Sequence, residues 1–262
     1  MINQSNKLYG QLVLASDVHM QRVDDRRGQL LLDAISRIDP ARTGVFVLNG
    51  DIFDFCFGRS PYYRAKFKPL GDALERLAEA GTRVVFVEGN HEFWMDAIGW
   101  RGVEIVKAKD LLLTLKDGAR VRVTHGDLII HDQLYRVFRA FVKSRFLATL
   151  ARLLPGRLLD AYTLRYAKVS RGQDQYRTLN HERILGAFDR WLAEGAFDHG
   201  IIGHFHVPYA EPRTGKDGLM VSVDSWDVPN VLVFDEGNFS RVFLQEVGAP
   251  FFAVPVRAID RA

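Results

Sequence analysis

Five short apolar runs, each followed at once by a polar motif, constrain the fold of this chain more than any other feature of its 262 residues. In chain order the motifs are Asp17-Val-His19, Gly50-Asp51-Ile-Phe-Asp54, Gly89-Asn90-His91-Glu92, His125-Gly126-Asp127 and Gly203-His204-Phe-His206. Any one motif alone is compatible with an ordinary turn, because Gly and Asn readily adopt positive φ. Five in succession indicate strands whose carboxyl ends gather polar side chains at one edge of a sheet.

The order of strand-like and helix-like segments predicts the fold class. Strand-length apolar runs cover 12–15, 45–48, 84–87, 121–124, 200–202, 219–223, 228–234 and 241–245. Helix-like stretches cover 27–38 and 69–80, the second with apolar residues at helical spacing. Alternation in the first half predicts parallel βαβ units, and the consecutive strands after about residue 197 predict antiparallel additions. A chain of this length with 47% hydrophobic residues can build one large α/β domain.

Cysteine content and termini bear on the compartment. Cys56 is the single cysteine, so an intramolecular disulfide is excluded and a reducing compartment is expected. The first residues lack the apolar core of a signal peptide, and no segment has the apolar length needed to span a bilayer. We therefore expect a cytoplasmic protein, either soluble or peripheral on the inner membrane.

A basic segment near 131–180 interrupts the strand pattern. Between residues 131 and 171, nine Lys and Arg side chains face only two Asp side chains, although the whole chain carries a net charge of +3. The composition is helical, with large apolar residues among the basic ones, and Pro155-Gly156 is expected to divide two helices. The charge asymmetry predicts that this segment meets an anionic partner.

The donor types in the five motifs suit a metal site. Residues i and i+2 of an extended chain point to the same side, so Asp17 with His19, and His204 with His206, can each aim two donors into one space. Imidazole, carboxylate and amide donors suit Mn²⁺, Fe, Zn²⁺ or Mg²⁺, and the lack of thiolates argues against a structural zinc site of the cysteine type.

Together the motifs D-x-H, G-D-x-x-D, G-N-H-E, H-G-D and G-H-x-H, from Asp17 to His206, resemble those of the calcineurin-like metallophosphoesterase superfamily. The resemblance implies a single α/β domain, built as a four-layer α/β/β/α sandwich with a helical cap inserted at about 131–180. It also implies two divalent metal ions, with Mn²⁺ the first expectation. The implied ligands of one metal are Asp17, His19, Asp51 and His206, and those of the other are Asp51, Asn90, His125 and His204.

The same resemblance implies the catalytic roles. His91 is the implied catalytic side chain, Asp54 the carboxylate that orients it, and Glu92 a supporting or helix-start carboxylate. Two metals that share a water lower its pKa and clamp the attacking and leaving oxygens of an in-line displacement. The implied reaction is direct attack of a metal-activated hydroxide on phosphorus, without a covalent phospho-enzyme.

The insert resembles the cap of the UDP-2,3-diacylglucosamine diphosphatases of lipid A synthesis. This resemblance implies a phosphorylated, lipid-linked nucleotide as substrate. The implied substrate contacts are Asp132, Tyr135, Arg139, Arg157, Arg165 and Ser170. Basic side chains suit its phosphates, apolar ones suit acyl chains, and a basic helical pair can also lie on an anionic membrane surface.

Three features depart from that family. His91 stands where Arg is expected, Asp132 stands alone where an Asp pair is expected, and the last motif reads GHFHVP instead of GHTHRP. These differences leave the reaction type in place and leave open another phospholipid or nucleotide conjugate as substrate.

Three alternative functions remain. A nuclease or cyclic-nucleotide phosphodiesterase would use the basic insert along a nucleic-acid backbone, but its high aliphatic content argues against nucleic acid. A phosphoprotein phosphatase would be hindered by a cap over the site. A non-catalytic scaffold would be expected to lack ligands, whereas all of them are present. The sequence indicates no obligate protein partner and carries no nucleotide-cofactor fingerprint.

Overall fold

The computed structural model describes residues 3–5, 7–107, 110–129, 197–212 and 218–257, together with separate positions between 137 and 190. Eight strands of this part form the larger sheet, and their spatial order is β1 (Asn3–Ser5), β15 (Phe251–Pro255), β14 (Asn238–Phe243), β13 (Asn230–Asp235), β2 (Leu12–Ala15), β3 (Val45–Asn49), β5 (Arg83–Glu88) and β7 (Val103–Lys107). Five strands form the second sheet, in the order β11 (Tyr209–Pro212), β12 (Leu219–Ser222), β10 (His199–Ile202), β9 (Arg120–Thr124) and β8 (Leu111–Thr114).

Smaller elements surround the two sheets. A two-stranded ladder pairs β4 (Cys56–Phe57) with β6 (Glu92–Phe93), and a 3-10 helix spans Met95–Ala97. The three helices with defined bounds are α1 (Arg26–Ser36), α2 (Pro61–Lys66) and α3 (Lys68–Glu79). In the described residues, no helix is both long and apolar enough to cross a lipid bilayer.

Parallel pairing in the larger sheet follows the predicted alternation of strands and helices. Strands β2, β3, β5 and β7 run parallel to one another, and β13 pairs antiparallel with the free edge of β2. Because β2, β3 and β5 are parallel, their carboxyl ends meet at one edge of the sheet. The motifs at Asp17, Asp51 and Asn90 therefore begin side by side.

The prediction of antiparallel additions after residue 197 is only partly right. Strands β11, β13, β14 and β15 are antiparallel to their neighbours, but β10 runs parallel to both β9 and β12. The chain reverses at β11 and reverses again into β12, so β12 recovers the direction of β10. The parallel β9–β10 pair brings the carboxyl ends that precede His125 and His204 together.

The predicted four-layer α/β/β/α sandwich is confirmed. Successive side chains along each central strand point to opposite faces of the sheet and so belong to different layers of the core. Leu12 and Leu14 belong to the apolar cluster between the two sheets, whereas Val13 belongs to the cluster beneath α1 and α3. On the outer face of the second sheet, a third cluster includes Ile184 and Phe188, both helical residues. The central strands are thus buried on both faces, as expected for parallel strands between layers.

The two predicted helices are present, shifted by one or two residues. Asp25 caps α1, because its Oδ1 accepts a hydrogen bond from Gly28 N at 2.8 Å. Pro69 lies in the first turn of α3, where its missing N–H costs no helical hydrogen bond. In the insert, the structure describes Gly156, Arg157 and Leu158 as helical, directly after Pro155. The boundaries of the predicted cap remain a prediction.

Candidate functional site

Five strand ends deliver polar side chains to one edge of the sandwich. The loops after β2 and β3 are tied together by backbone hydrogen bonds, from Asp17 N to Gly50 O at 3.0 Å and from His19 N to Asp51 O at 2.9 Å. Ser16 Oγ adds a hydrogen bond to Asn49 O at 2.9 Å. These contacts hold the first two motifs in a fixed register.

The backbone of these motifs adopts an uncommon conformation. Asp17, His19, Asp51, His204 and His206 all have φ between 51° and 69°, in the left-handed region that ordinary residues avoid. Only two other non-glycine residues of the described chain have positive φ. Conformational strain of this kind collects at functional sites, where the surrounding structure enforces it. Here it turns both side chains of each i, i+2 pair toward the same space.

One group of donors consists of Asp17, His19 and His206. The Nε2 atoms of His19 and His206 lie 3.3 Å apart, and His206 Nε2 lies 3.2 Å from Asp17 Oδ1. Asp17 is fully buried and also accepts hydrogen bonds from His204 N at 3.1 Å. A carboxylate and two imidazoles that point at one spot form a suitable donor set for a divalent cation.

A second group consists of Asp51, Asn90, His125 and His204. His125 Nε2 lies 3.4 Å from Asp51 Oδ2 and 3.1 Å from Asn90 Oδ1. Its other ring nitrogen lies 3.0 Å from Asn49 O and can donate to that carbonyl, which leaves Nε2 as the nitrogen available to a metal. Asp51 also clusters with His19 and His91, so its carboxylate faces both groups.

Electrostatics in the site are dominated by burial and by the two aspartates. Burial opposes the charged form of His125, but the neighbouring Asp51 carboxylate outweighs it and raises the pKa to about 10. Burial lowers the pKa of His204 to about 4, helped by the nearby His125. Burial also holds the pKa of His19 well below its usual value. The donor set therefore includes a protonated imidazole, His125, and neutral imidazoles, His19 and His204. Divalent cations fit this set because their charge compensates the clustered carboxylates.

The expected orientation of His91 by the Asp54 carboxylate is wrong in its detail. His91 Nδ1 lies 2.7 Å from the backbone carbonyl oxygen of Asp54, whereas Asp54 Oδ1 lies 3.7 Å from Nδ1 of His19. Asp54 is buried, and its backbone N–H donates to Met20 O at 3.0 Å. His91 is thus oriented by a carbonyl group and keeps Nε2 toward the site, 3.8 Å from Asp51 Oδ2.

Of the two roles implied for Glu92, the structure favours the supporting one, because its carboxylate ties two loops of the site together. Glu92 lies in β6, so the helix-start interpretation is wrong, and its fully buried carboxylate accepts hydrogen bonds from three backbone N–H groups. These donors are Gly89 N at 2.8 Å, Asp51 N at 2.9 Å and Phe53 N at 3.2 Å. Burial and the charge of Asp51 raise its pKa to about 7. Glu92 therefore joins the loop of Asp51 to the loop of Asn90.

Glycine is required at position 89 because neighbouring side-chain atoms approach its Cα closely. A turn with positive φ is not the reason, because Gly89 does not have a positive φ. A Cβ at this position would collide with Asp51 Oδ1 and would lie 2.9 Å from Glu92 Oε2. The absence of a side chain lets the third strand end pass directly beside the Asp51 carboxylate.

The predicted substrate contacts of the insert are mostly outside the described residues. These are Asp132, Tyr135, Arg139, Arg165 and Ser170. Arg157 is described and exposed, in the helical turn whose Gly156 packs against Tyr62. Trp226, by contrast, is a buried core residue beside the site, and its backbone N–H donates to Asp17 O at 3.2 Å.

Comparison with known families identifies the arrangement. The profile of the calcineurin-like phosphoesterase family matches residues 11–208, three quarters of the chain and all five motifs. The chain belongs to the calcineurin-like phosphoesterase family. The predicted superfamily resemblance is therefore confirmed, and the protein is a metal-dependent phosphoesterase whose clustered Asp and His donors suit divalent metals.

Several curated relatives share one name. The chain is 25% identical over 238 residues to the UDP-2,3-diacylglucosamine hydrolase of Ralstonia nicotianae, covering 85% of this chain and 84% of the relative. It is 23% identical over 222 residues to the enzyme of that name from Neisseria meningitidis serogroup B, covering 84% and 92% of the two chains. A solved structure of a conserved Streptococcus pneumoniae protein, described as a predicted phosphoesterase, matches with a TM-score of 0.39 at 18% identity over 93% of this chain and 97% of its own.

Proposed function

We propose that this phosphoesterase uses two divalent metals, Mn²⁺ first among them, to hydrolyse the pyrophosphate bond of a nucleotide-diphospho-lipid such as UDP-2,3-diacylglucosamine. The products are UMP and the lipid phosphate. The proposal of two metals rests on the position of the Asp51 carboxylate. Its carboxylate lies 3.4 Å from His125 in one donor group and clusters with His19 of the other, so one carboxylate serves both.

Each metal is assigned to one donor group. One would be held by Asp17, His19, Asp51 and His206, and the other by Asp51, Asn90, His125 and His204. When bound, the two metals would supply an acidified water as nucleophile and would neutralise charge on the phosphate oxygens. Asn49 fixes the His125 ring through its carbonyl, and Glu92 fixes the spacing between the loops of Asp51 and Asn90.

His91 supplies the proton for the leaving group in this proposal. Burial lowers its pKa, but the charge of Asp51 and the hydrogen bond with the Asp54 carbonyl outweigh burial and raise the pKa above its ordinary value. With Nδ1 held by that carbonyl, Nε2 faces the metal groups and can donate a proton to the oxygen that leaves phosphorus. Hydrolysis consumes one water, and its oxygen ends on the new phosphate group.

The insert supports a lipid-linked substrate. Its residues 131–171 carry nine Lys and Arg against two Asp, and Val137, Phe141 and Leu158 within it are each more than half exposed. Exposed apolar side chains among Lys and Arg suit acyl chains beside phosphates, and also the surface of an anionic leaflet. We assign the predicted contacts of the insert, including Arg157, to this substrate, and we place the protein peripherally on the membrane that carries it. The names of the curated relatives agree with this substrate class.

The proposed substrate is tested by turnover with added Mn²⁺. Purified protein is given UDP-2,3-diacylglucosamine, a UDP-sugar without acyl chains, and bis-p-nitrophenyl phosphate, and UMP release or nitrophenol release is followed. We expect the acylated substrate to be preferred by at least about a hundredfold in kcat/KM over the unacylated sugar. Turnover of the generic diester alone would reject the lipid substrate and retain the phosphoesterase, in line with a phosphodiesterase acting on another ester.

A further inference from the structure

The insert contacts the core through a buried ion pair, next to the loop that carries Asn90 and His91. Lys143 Nζ lies 3.1 Å from Glu88 Oε2, and only 18% of the Lys143 side chain and 2% of the Glu88 side chain are exposed. Glu88 is the last residue of β5 and directly precedes the Gly89-Asn90-His91 motif. The insert is thus connected by charge to the strand that carries Asn90 and His91.

The surroundings of this pair extend the link into the loop itself. Lys143 Nζ also lies 3.4 Å from the carbonyl oxygen of Gly89, the peptide group that leads into Asn90. The other oxygen of Glu88 accepts a hydrogen bond from Met95 N at 2.7 Å, which fixes the far side of the same loop. The ammonium group also lies 5.5 Å from the centre of the Phe93 ring. One lysine of the insert therefore contacts both ends of the segment that bears His91.

A second buried ion pair holds the insert at another point. Here the insert supplies the carboxylate and the core supplies the lysine, the reverse of the first pair. Lys66, at the end of α2, donates to both carboxylate oxygens of Asp160 at 2.7 and 2.8 Å, and Tyr62 Oη donates to the same carboxylate at 3.0 Å. Both charged side chains are largely buried. Two anchors of opposite polarity specify one placement of the insert, because a shifted insert would leave charges buried without partners.

We propose that Glu88 and Lys143 are positioning residues which hold the insert in register with the Asn90–His91 loop, so that a substrate bound to both is aligned for hydrolysis. This inference rests on the proposed function, because it concerns a substrate long enough to touch the insert and the metal groups together. Neither side chain takes part in the chemistry. The pair acts through the relative placement of two binding surfaces, and displacements of about an ångström are enough to reduce turnover strongly.

The test compares Lys143→Met, Glu88→Gln, the double variant and Lys143→Arg in the full-length, Mn²⁺-loaded protein. For the acylated nucleotide substrate, we expect each single neutral variant to reduce kcat/KM by about ten- to a hundredfold, mainly through kcat. Because the two residues act as a unit, the double variant should lose no more than the poorer single variant. Lys143→Arg, which keeps the cation, should recover activity to within about threefold of wild type.

Lys68→Met provides the matched control. Lys68 forms an exposed ion pair with Asp72 within α3, so its loss should change kcat/KM by less than about twofold. Additive losses in the double variant, or wild-type turnover in both neutral variants, would overturn the positioning role while leaving the proposed reaction intact.

Failure of the proposed function is recognised separately. If the wild-type protein hydrolyses none of the phosphate esters, the ion pair is tested by amide hydrogen exchange of peptides covering residues 137–161. We then expect faster exchange in Lys143→Met than in wild type and Lys68→Met. Unchanged exchange would overturn the anchoring role by itself.

Discussion

The Nε2 atoms of His19 and His206 lie 3.3 Å apart although 187 positions separate the two residues in the chain. Two ring nitrogens at this distance either share a proton or face a common cation. Both residues have positive φ, 51° and 56°, so the backbone is strained to direct them to the same place. Strain that serves metal binding is expected to be released when a ligand is exchanged for glycine.

Glycine at position 206 should therefore be more stabilising than alanine. Elsewhere Gly costs more than Ala, but at a φ of 56° the order reverses, and we expect His206→Gly to exceed His206→Ala by about 1 kcal/mol in free energy of unfolding. Urea unfolding of both metal-free variants measures the difference. Ala equal to or more stable than Gly would contradict the strained backbone at this ligand.

Metal binding should release protons. In the metal-free protein the pKa of His125 is raised to about 10 by Asp51, so this imidazole holds a proton at about pH 8, whereas a metal ligand must be neutral. We expect at least about one proton per chain to be released when Mn²⁺ binds, seen by calorimetry in buffers of different ionisation enthalpy. In His125→Asn the release should fall by about one. Binding without proton release would contradict the assignment of His125 as a ligand.

Much of this site can be predicted from sequence, because strand ends and i, i+2 spacing are local features. Asp17, His19 and His206 are found together as expected. The sequence could not show the parallel placement of β10 between β9 and β12, which depends on where β11 lies in space. It also could not show that Asp54 offers His91 its carbonyl group instead of its carboxylate, since both belong to one residue.

The contacts of the buried supporting carboxylates could not be predicted for a different reason. The sequence indicates no role for Glu88 and only an implied supporting or helix-start role for Glu92, yet both are almost fully buried. Their partners are backbone N–H groups and a lysine 55 positions away, which no spacing rule relates to them. A Gly-Asn motif flanked by two glutamates is the one local signal that could have indicated them.

Loss of the Glu92 carboxylate should loosen the site. Glu92→Gln places an amide NH₂ group where one of three backbone N–H groups now finds an acceptor, and an unsatisfied buried donor costs about 1–3 kcal/mol. We expect that loss in urea unfolding, together with weaker Mn²⁺ binding. Glu79→Gln, at an exposed carboxylate of α3, is the control and should behave as wild type. Equal stability and metal affinity in the two variants would exclude the positioning role of Glu92.

The pair of Arg120 and Asp198 should contribute to stability only above acidic pH. Arg120 hydrogen bonds lower the pKa of Asp198 from 3.8 to about 2, so the folded state favours the charged carboxylate. Stability from this pair is present above the unfolded pKa and is lost as pH falls from about 4 toward about 2. Because both side chains are partly exposed, Asp198→Asn should cost less than about 1 kcal/mol at neutral pH. The free energies of unfolding of Asp198→Asn and wild type should converge at the acidic end of a pH series. A difference that stays constant with pH would contradict a pH-dependent contribution of this ion pair.

Metal content and hydrolysis, measured on the same preparations, test whether Asp51 binds both metals. Wild type, Asp17→Asn and Asp51→Asn are loaded with Mn²⁺, desalted, analysed by mass spectrometry of metals, and assayed with bis-p-nitrophenyl phosphate. A shared Asp51 predicts about two metals per chain in wild type, about one in Asp17→Asn, and less than one in Asp51→Asn, with hydrolysis reduced at least about a hundredfold in both variants. Two retained metals or near-wild-type hydrolysis in Asp51→Asn would contradict a centre in which one carboxylate serves both metals.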